Sequence, residues 1–160
     1  MAYSHSGNRI GFQPLVNTET TQYHPLGTVV TGTDPTYGEG TFVYLKGVAS
    51  TAVGSAVIYD NNAATTTLTV AGSRGPVAFA LSANVASQYG WYQVEGVCVG
   101  ITGTVAAGGR VYSTATPGST DDAVVAGDKV DGAIFKTADG TPSAGRALIQ
   151  AHWPCMAGNG

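Results

Sequence analysis

The amino-acid sequence predicts an all-β protein built as a single sandwich or barrel. Short segments rich in β-branched and aromatic residues recur along the chain, and turn residues separate them. Charged residues make up only 11% of the 160 residues, so an uncharged surface of Thr, Ser, Gly and Ala is expected. Hydrophobic residues reach 43% and the formal net charge is -3, which is unlike the composition of a disordered chain.

The first predicted element is an extended N-terminal arm over residues 1–25. Its large apolar side chains follow neither a helical nor a strand period, and glycine and proline interrupt them. Such a segment has no regular face to bury, so we expect it to lie on a surface, either of its own domain or of a partner. The residues predicted to make this contact are Ile10, Phe12, Leu15, Val16 and Tyr23.

Nine strands are predicted in the β domain, residues 26–153. A C-terminal tail, residues 154–160, follows this domain. The strands cover residues 26–31, 41–46, 55–59, 65–70, 77–81, 91–99, 110–114, 130–136 and 146–153. Turn residues such as Gly108-Gly109 divide them. Nine short strands at this spacing are typical of a sandwich or a barrel.

Side-chain alternation predicts which face of the last strand is buried. Ala147, Ile149, Ala151 and Trp153 share one face and are predicted to be core residues. In residues 91–99 the alternation changes phase at Gly96, which indicates a β-bulge or bend.

Two further local features have less regular patterns. Residues 82–88 are predicted to form a helix of at most two turns, with Ser82 as its N-cap. Trp91 and Tyr92 are neighbours in a predicted strand and therefore face opposite sides, so they cannot share one flat platform. We expect one of the two rings to pack in the core and the other at an interface.

The sequence contains no cluster of residues typical of an active site or a metal centre. His5, His24 and His152 are isolated from one another, and no phosphate-binding loop or nucleophile elbow occurs. The aspartates between positions 121 and 139 lack the spacing of a calcium loop and are predicted to form a solvated acidic edge. We therefore predict that the protein is not an enzyme and uses no cofactor or metal.

Charge and hydropathy limit the partners that the sequence predicts. The seven Lys and Arg residues are scattered singly, so we expect no nucleic-acid partner. The sequence has no run of about 20 apolar residues, so no membrane-spanning helix is predicted. The N-terminus lacks the regions of a secretory signal, so synthesis in the cytoplasm is expected. Cys98 and Cys155 are then predicted to be buried free thiols, with a disulfide between them as the alternative.

Six short motifs follow one another along the chain. They are QYHPLGTVV, EGTFVYLKGVAS, GSAVIYDNN, QYGWYQVEGV, GTVAAGGRVYSTATPG and VDGAIFKTADG. In this order, over residues 22–153, they resemble the small decoration, or cement, proteins of tailed-bacteriophage heads. In that family an arm leads into a strand-rich domain.

The resemblance implies a β-tulip or jelly-roll-like domain on the outer surface of a virion capsid, where it would stabilise contacts between capsomers. The implied partner is the major capsid protein. A homotrimer is the implied oligomeric state, and a monomer held by its arm satisfies the sequence equally well. On this interpretation the interface residues are Ile10, Phe12, Leu15, Val16, Tyr23, Trp91 and Tyr92.

Two other classes of function are open at this level. A tail-fibre or other virion adhesion module would bind host cell-surface glycan, and the stacking residue would be Trp91, Tyr92 or Tyr37. A glycan-modifying enzyme would need two carboxyl groups at a suitable separation in a cleft. The carboxyl groups within the central strands and turns are Glu39, Glu95 and Asp60.

Charge is scarcest in the middle of the chain. Asp60 is the one charged residue between Lys46 and Arg74, and Glu95 is the one between Arg74 and Arg110. The central strands therefore either expose small uncharged residues or are covered on both faces. Neighbouring subunits would provide such cover in a capsid, so intersubunit contacts beyond the arm are predicted here.

Overall fold

The structure, a computed structural model, describes residues 4–5 and 14–157. All secondary structure in this part of the chain is β, and the named strands pair antiparallel within one sheet. The strands are β1 Ser4–His5, β2 Thr18–Glu19, β3 Val29–Asp34, β4 Gly38–Lys46, β5 Ala56–Tyr59, β6 Thr66–Leu68, β7 Gly75–Ala80, β8 Tyr89–Ile101, β9 Arg110–Ser113, β10 Thr120–Asp121, β11 Lys129–Phe135 and β12 Arg146–Met156.

The all-β prediction is confirmed, and each of the nine predicted strands has a counterpart. The strands that the sequence did not predict, β1, β2 and β10, have two residues each, too few to show an alternation of side chains. β12 continues to Met156, so the first residues of the predicted tail belong to the sheet.

The sheet has a branched topology with β8 at its centre. Its main path runs β1-β3-β4-β8-β7-β12-β11-β9-β10, while β2 pairs with β8, and β5 joins β6 to β7. β8 also pairs directly with β12. The strands β7, β8 and β12 therefore each pair with the other two, and the long β8 connects both halves of the sheet.

β8 has the predicted bulge, at Val94, two residues before Gly96. The register between β4 and β8 shifts between Thr41, opposite Glu95, and Phe42, opposite Gln93. Gly96 has a φ of 94°, and a Cβ atom there would lie 2.5 Å from the carbonyl oxygen of Glu39. The buried Gln93 side chain fastens the bulge, since its Nε2 donates to the carbonyl of Glu95 at 2.9 Å.

The face of β12 that was predicted to be core is buried up to Ala151, and Leu148 on the opposite face is buried as well. Ala147, Ile149 and Ala151 are buried as predicted, whereas Trp153 is 48% exposed, so its assignment to the core was wrong. The physical reason is an irregularity opposite Gly132, where the register between β11 and β12 shifts and Trp153 adopts a φ of 44°. This change turns the indole ring outward.

The interior consists of three packed clusters around the central strands. The first lies against β9, β11 and the first half of β12 and contains Phe79, Phe135 and Ile149. The second contains Tyr92, and the third contains Trp91. The two neighbouring rings on β8 thus face opposite sides, as predicted.

Residues 82–88 form turns, and the predicted two-turn helix was wrong. The side chain of Asn84 points inward and is fully buried, and its Nδ2 donates to the hydroxyl of Tyr92 at 3.0 Å. The same group lies 3.4 Å from the carbonyl oxygen of Leu45. These tertiary hydrogen bonds stabilise the turns where local propensity favours a helix.

The two cysteines are free thiols, so the alternative disulfide does not form. Cys98 is buried, as predicted, and burial raises the pKa of its thiol well above the usual value. Cys155 is exposed, which corrects the prediction that both thiols are buried. Cys155 lies in the part of β12 beyond Trp153, where alternation predicted from the preceding residues no longer applies.

Candidate interaction surface

The described part of the arm, residues 14–25, packs on the chain's own domain. Leu15 is only 2% exposed and belongs to the cluster that contains Trp91 and Phe42. β2 follows it and pairs with the first residues of β8. Leu15 is therefore a core residue, which corrects its assignment to an interface with a partner.

The end of the arm is held by aromatic contacts. The ring of His24 meets the ring of Tyr44 edge-on, with 5.1 Å between centroids, and lies 5.5 Å from the ring of Trp91. The backbone amide of Tyr23 donates to the hydroxyl of Tyr44 at 3.4 Å. The Tyr23 side chain is left 63% exposed, fixed at its backbone but available to a partner.

Val16 is the second predicted contact residue of the described arm that has an accessible side chain. It is 49% exposed and borders a shallow apolar depression of about 70 Å³, which Val53 also lines. Ile10 and Phe12 lie outside the described residues. The backbone of β1, further toward the N-terminus, pairs with Gly32 and Thr33 of β3.

Trp91 and Tyr92 are both fully buried within the chain. The expectation that one of them packs at an interface is therefore corrected, because neither side chain has accessible surface in this conformation. For the same reason neither ring forms a sugar-stacking surface. The third ring considered for that role, Tyr37, is partly exposed and lies in a turn where its amide donates to Oδ1 of Asp34.

The charge-poor central strands are covered by this chain itself. β7 and β8 carry buried residues on both faces, and their partners belong to the three clusters of the interior. β7 and β8 therefore need no neighbouring subunit to cover them, and intersubunit contacts elsewhere in the charge-poor region stay a prediction. Intramolecular packing accounts for the scarcity of charge in this region.

Exposed apolar side chains outside the arm were missed by the sequence reasoning. They lie on strands or loops, and the exposure of a single apolar residue has no sequence signature. Those above 40% exposure are Val29, Val53, Val124, Val125, Ile134 and Trp153.

An open groove of about 370 Å³ brings two of the three suggested carboxyl groups to one place. Glu39 and Glu95 line it together with His152, whereas Asp60 is not among its lining residues. Nδ1 of His152 lies 3.1 Å from Oε1 of Glu95, and Oγ1 of Thr41 donates to Oε2 of Glu95 at 3.0 Å. Both oxygens of Glu95 are thus engaged by the chain's own side chains.

The aspartates near β10 and β11 mostly fasten loops. Asp128 is buried and its Oδ1 accepts from the amide of Gly72 at 2.6 Å, so the prediction of a fully solvated acidic edge was wrong at this position. Asp122 accepts from the amide of Ala106 at 2.9 Å. Burial raises the pKa of Asp121, and repulsion from Asp122 and Asp128 acts in the same direction.

Within residues 4–5 and 14–157, no three His, Cys, Asp or Glu side chains come together as a metal site. The same residues include no helix with the length and apolarity to cross a membrane.

In comparisons with known proteins, no family model, curated protein or solved structure matched this chain.

Proposed function

We propose that this chain is a structural virion protein that binds the outer surface of a tailed-phage capsid. It would cement contacts between capsomers of the major capsid protein after synthesis in the host cytoplasm. The observation that carries the proposal is the ordered set of six motifs over residues 22–153 that resembles capsid decoration proteins. In chain order, the six motifs overlap β3, β4, β5, β8, β9 and β11.

The physical character of the surface supports the proposal. A cementing protein needs accessible apolar contacts, and Val16 and Tyr23 provide them on a segment whose backbone is held against the domain. Burying one apolar side chain fully contributes about 1.5–3 kcal/mol, so a few such contacts offset the cost of association. Binding of many copies to one capsid provides avidity without a strong single site.

We propose further that the sheet closes into a sandwich or barrel of the β-tulip or jelly-roll type. The mutual pairing of β7, β8 and β12 supports this closure, because three strands that all pair with one another cannot lie in one open, flat sheet. Three such subunits around a local threefold axis would form the homotrimer.

The proposal is tested by cosedimentation of the recombinant protein with undecorated heads assembled from the major capsid protein of the same genome. We expect saturable binding and heads that resist heating better when decorated. An unrelated acidic protein of similar size is the control. Binding no stronger than that of the control would overturn the proposal.

The contribution of the arm requires a truncation that respects the core. Removing residues 2–25 would delete Leu15, β2 and the His24 contacts, so loss of binding by that variant would follow from unfolding alone. Removing residues 2–13 spares these contacts. We expect this shorter truncation to stay folded by circular dichroism and to bind heads at least tenfold more weakly. Undiminished binding would show that residues 2–13 are dispensable for binding.

A further inference from the structure

Trp153 combines an exposed ring with a strained backbone. Its φ of 44° lies in the left-handed region, which L side chains avoid because Cβ approaches the following carbonyl. The other described non-glycine residues with positive φ are Ser50, Ala64 and Ser87, all of which are small. Strained conformations of this kind concentrate at functional sites, and bulges redirect side chains there.

The ring forms one wall of a small cavity, the Trp153 pocket. Val29, Val43, Leu45 and Ala64 provide aliphatic lining, Tyr59 provides an aromatic ring with a hydroxyl group, and Asp60 and Asn61 provide polar lining. Val29 is 45% exposed, so it and Trp153 offer adjoining apolar surface to a partner, whereas Val43 and Leu45 are buried beneath.

The size of the pocket limits what it can hold. Its volume is about 100 Å³. Sites for small-molecule ligands usually measure about 300–1,000 Å³. A single aliphatic side chain fits the smaller volume and the apolar lining. A sugar, like other small-molecule ligands, would require a larger pocket than this one.

Asp60 adds a charge to this pocket. Its Oδ1 accepts hydrogen bonds from the amides of Asn62 and Ala63, both at 2.7 Å, and these bonds lower the pKa of the carboxyl. The group is therefore ionised at neutral pH. An occupant that brings a Lys or Arg beside its apolar side chain would be complementary in both shape and charge.

We propose that the Trp153 pocket is an anchor site for a protein partner, which inserts one aliphatic side chain beside Trp153 and places a neighbouring basic side chain near Asp60. The inference rests on the proposed function for the identity of that partner, the capsid surface. Tryptophan is enriched among the few residues that dominate binding energy at interfaces, and it acts there by filling or lining a desolvated pocket.

The test compares binding of the wild-type chain and three variants to undecorated heads. Trp153→Ala should weaken binding about 30-fold, the change that corresponds to an interface hot spot of about 2 kcal/mol. Asp60→Asn, which retains the oxygen that accepts from the turn, should weaken it about threefold, with the difference disappearing at high salt. Ile134→Ala is the matched control, since Ile134 is 52% exposed and does not line this pocket.

A second measurement uses the wild-type protein and is independent of variant folding. In hydroxyl-radical footprinting, Trp153 should be modified in the free protein and protected when the protein is bound to heads. Trp91 is fully buried and should stay unmodified in both states. Wild-type binding with unprotected Trp153, or with Trp153→Ala binding equally well, would overturn the anchor and leave the proposed function standing. Failure of the wild-type chain to bind heads would overturn the proposed function, and Trp153-dependent binding to a glycan array would replace the protein partner by a sugar.

Discussion

The positive φ of Trp153 should affect the stability of the folded protein. Trp153→Gly and Trp153→Ala both remove the indole ring, but only glycine relieves the left-handed strain at this position. We expect the glycine variant to be more stable than the alanine variant by about 1 kcal/mol in urea denaturation. Ile134, which has no positive φ, provides the control pair, and there alanine should be the more stable by about 0.5–1 kcal/mol. If the glycine and alanine variants had the same order of stability at positions 153 and 134, the backbone of Trp153 would not be strained.

Buried tyrosines predict how stability depends on pH. Burial raises the pKa of Tyr92 above its usual value of 10.0, although hydrogen bonds with Thr66, Asn84 and Thr51 act in the opposite direction. Because the folded state disfavours tyrosinate, the contribution of Tyr92 to the free energy of unfolding should be constant below its unfolded pKa and fall as pH rises beyond it. Tyr92→Phe should show a shallower fall between pH 9 and about 11 than the wild type. Equal slopes for both proteins would contradict this assignment.

At this scale the sequence predicts which way side chains alternate but not what covers them. Period-two alternation correctly separated Trp91 from Tyr92. Burial of both rings depends on residues distant in sequence, such as Leu15 over one face and Asn84 over the other. Likewise, the outward turn of Trp153 depends on a register shift opposite Gly132, which no pattern within β12 reveals.

Among the elements, β8 has the most demanding geometry because its bulge sits against β4. Gly96→Ala would place a Cβ atom 2.5 Å from the Glu39 carbonyl oxygen and would also strain a φ of 94°. We expect a loss of about 3 kcal/mol in the free energy of unfolding. Gly72→Ala is the matched control, since its φ is 78° but no atom lies within 4 Å of the position that the new Cβ atom would take, and it should lose about 1 kcal/mol. Equal losses would mean that the contact with β4 is not tight.

Strands were more predictable than the connections between them. Alternating apolar residues and turn-forming glycines marked all nine longer strands, because both signals are local. The predicted helix at residues 82–88 failed because Asn84 makes hydrogen bonds to Tyr92 and Leu45, which no local signal encodes. A two-residue strand such as β2 forms because a longer strand has backbone groups free to pair with it. That signal is not local, so such strands could not be predicted from the sequence.

At the scale of the whole molecule, packing within the chain covers part of the charge-poor region. The charge-poor strands β7 and β8 are covered by the chain's own side chains. Accessible apolar groups on the arm and at the Trp153 pocket are Val16, Tyr23, Val29 and Trp153. Others lie elsewhere on the surface, at Val124, Val125 and Ile134. If the proposed function is correct, the apolar groups on the arm and at the Trp153 pocket would contact the capsid.

We propose, as set out above, that this chain decorates a phage head. The most direct test is a cryo-EM reconstruction of undecorated heads after incubation with the recombinant protein, compared with the same heads alone. The account predicts additional density at regular positions on the outer capsid surface, into which the β domain fits with Tyr23 and Trp153 toward the capsid. Identical reconstructions with and without the protein, or density confined to the tail, would contradict it.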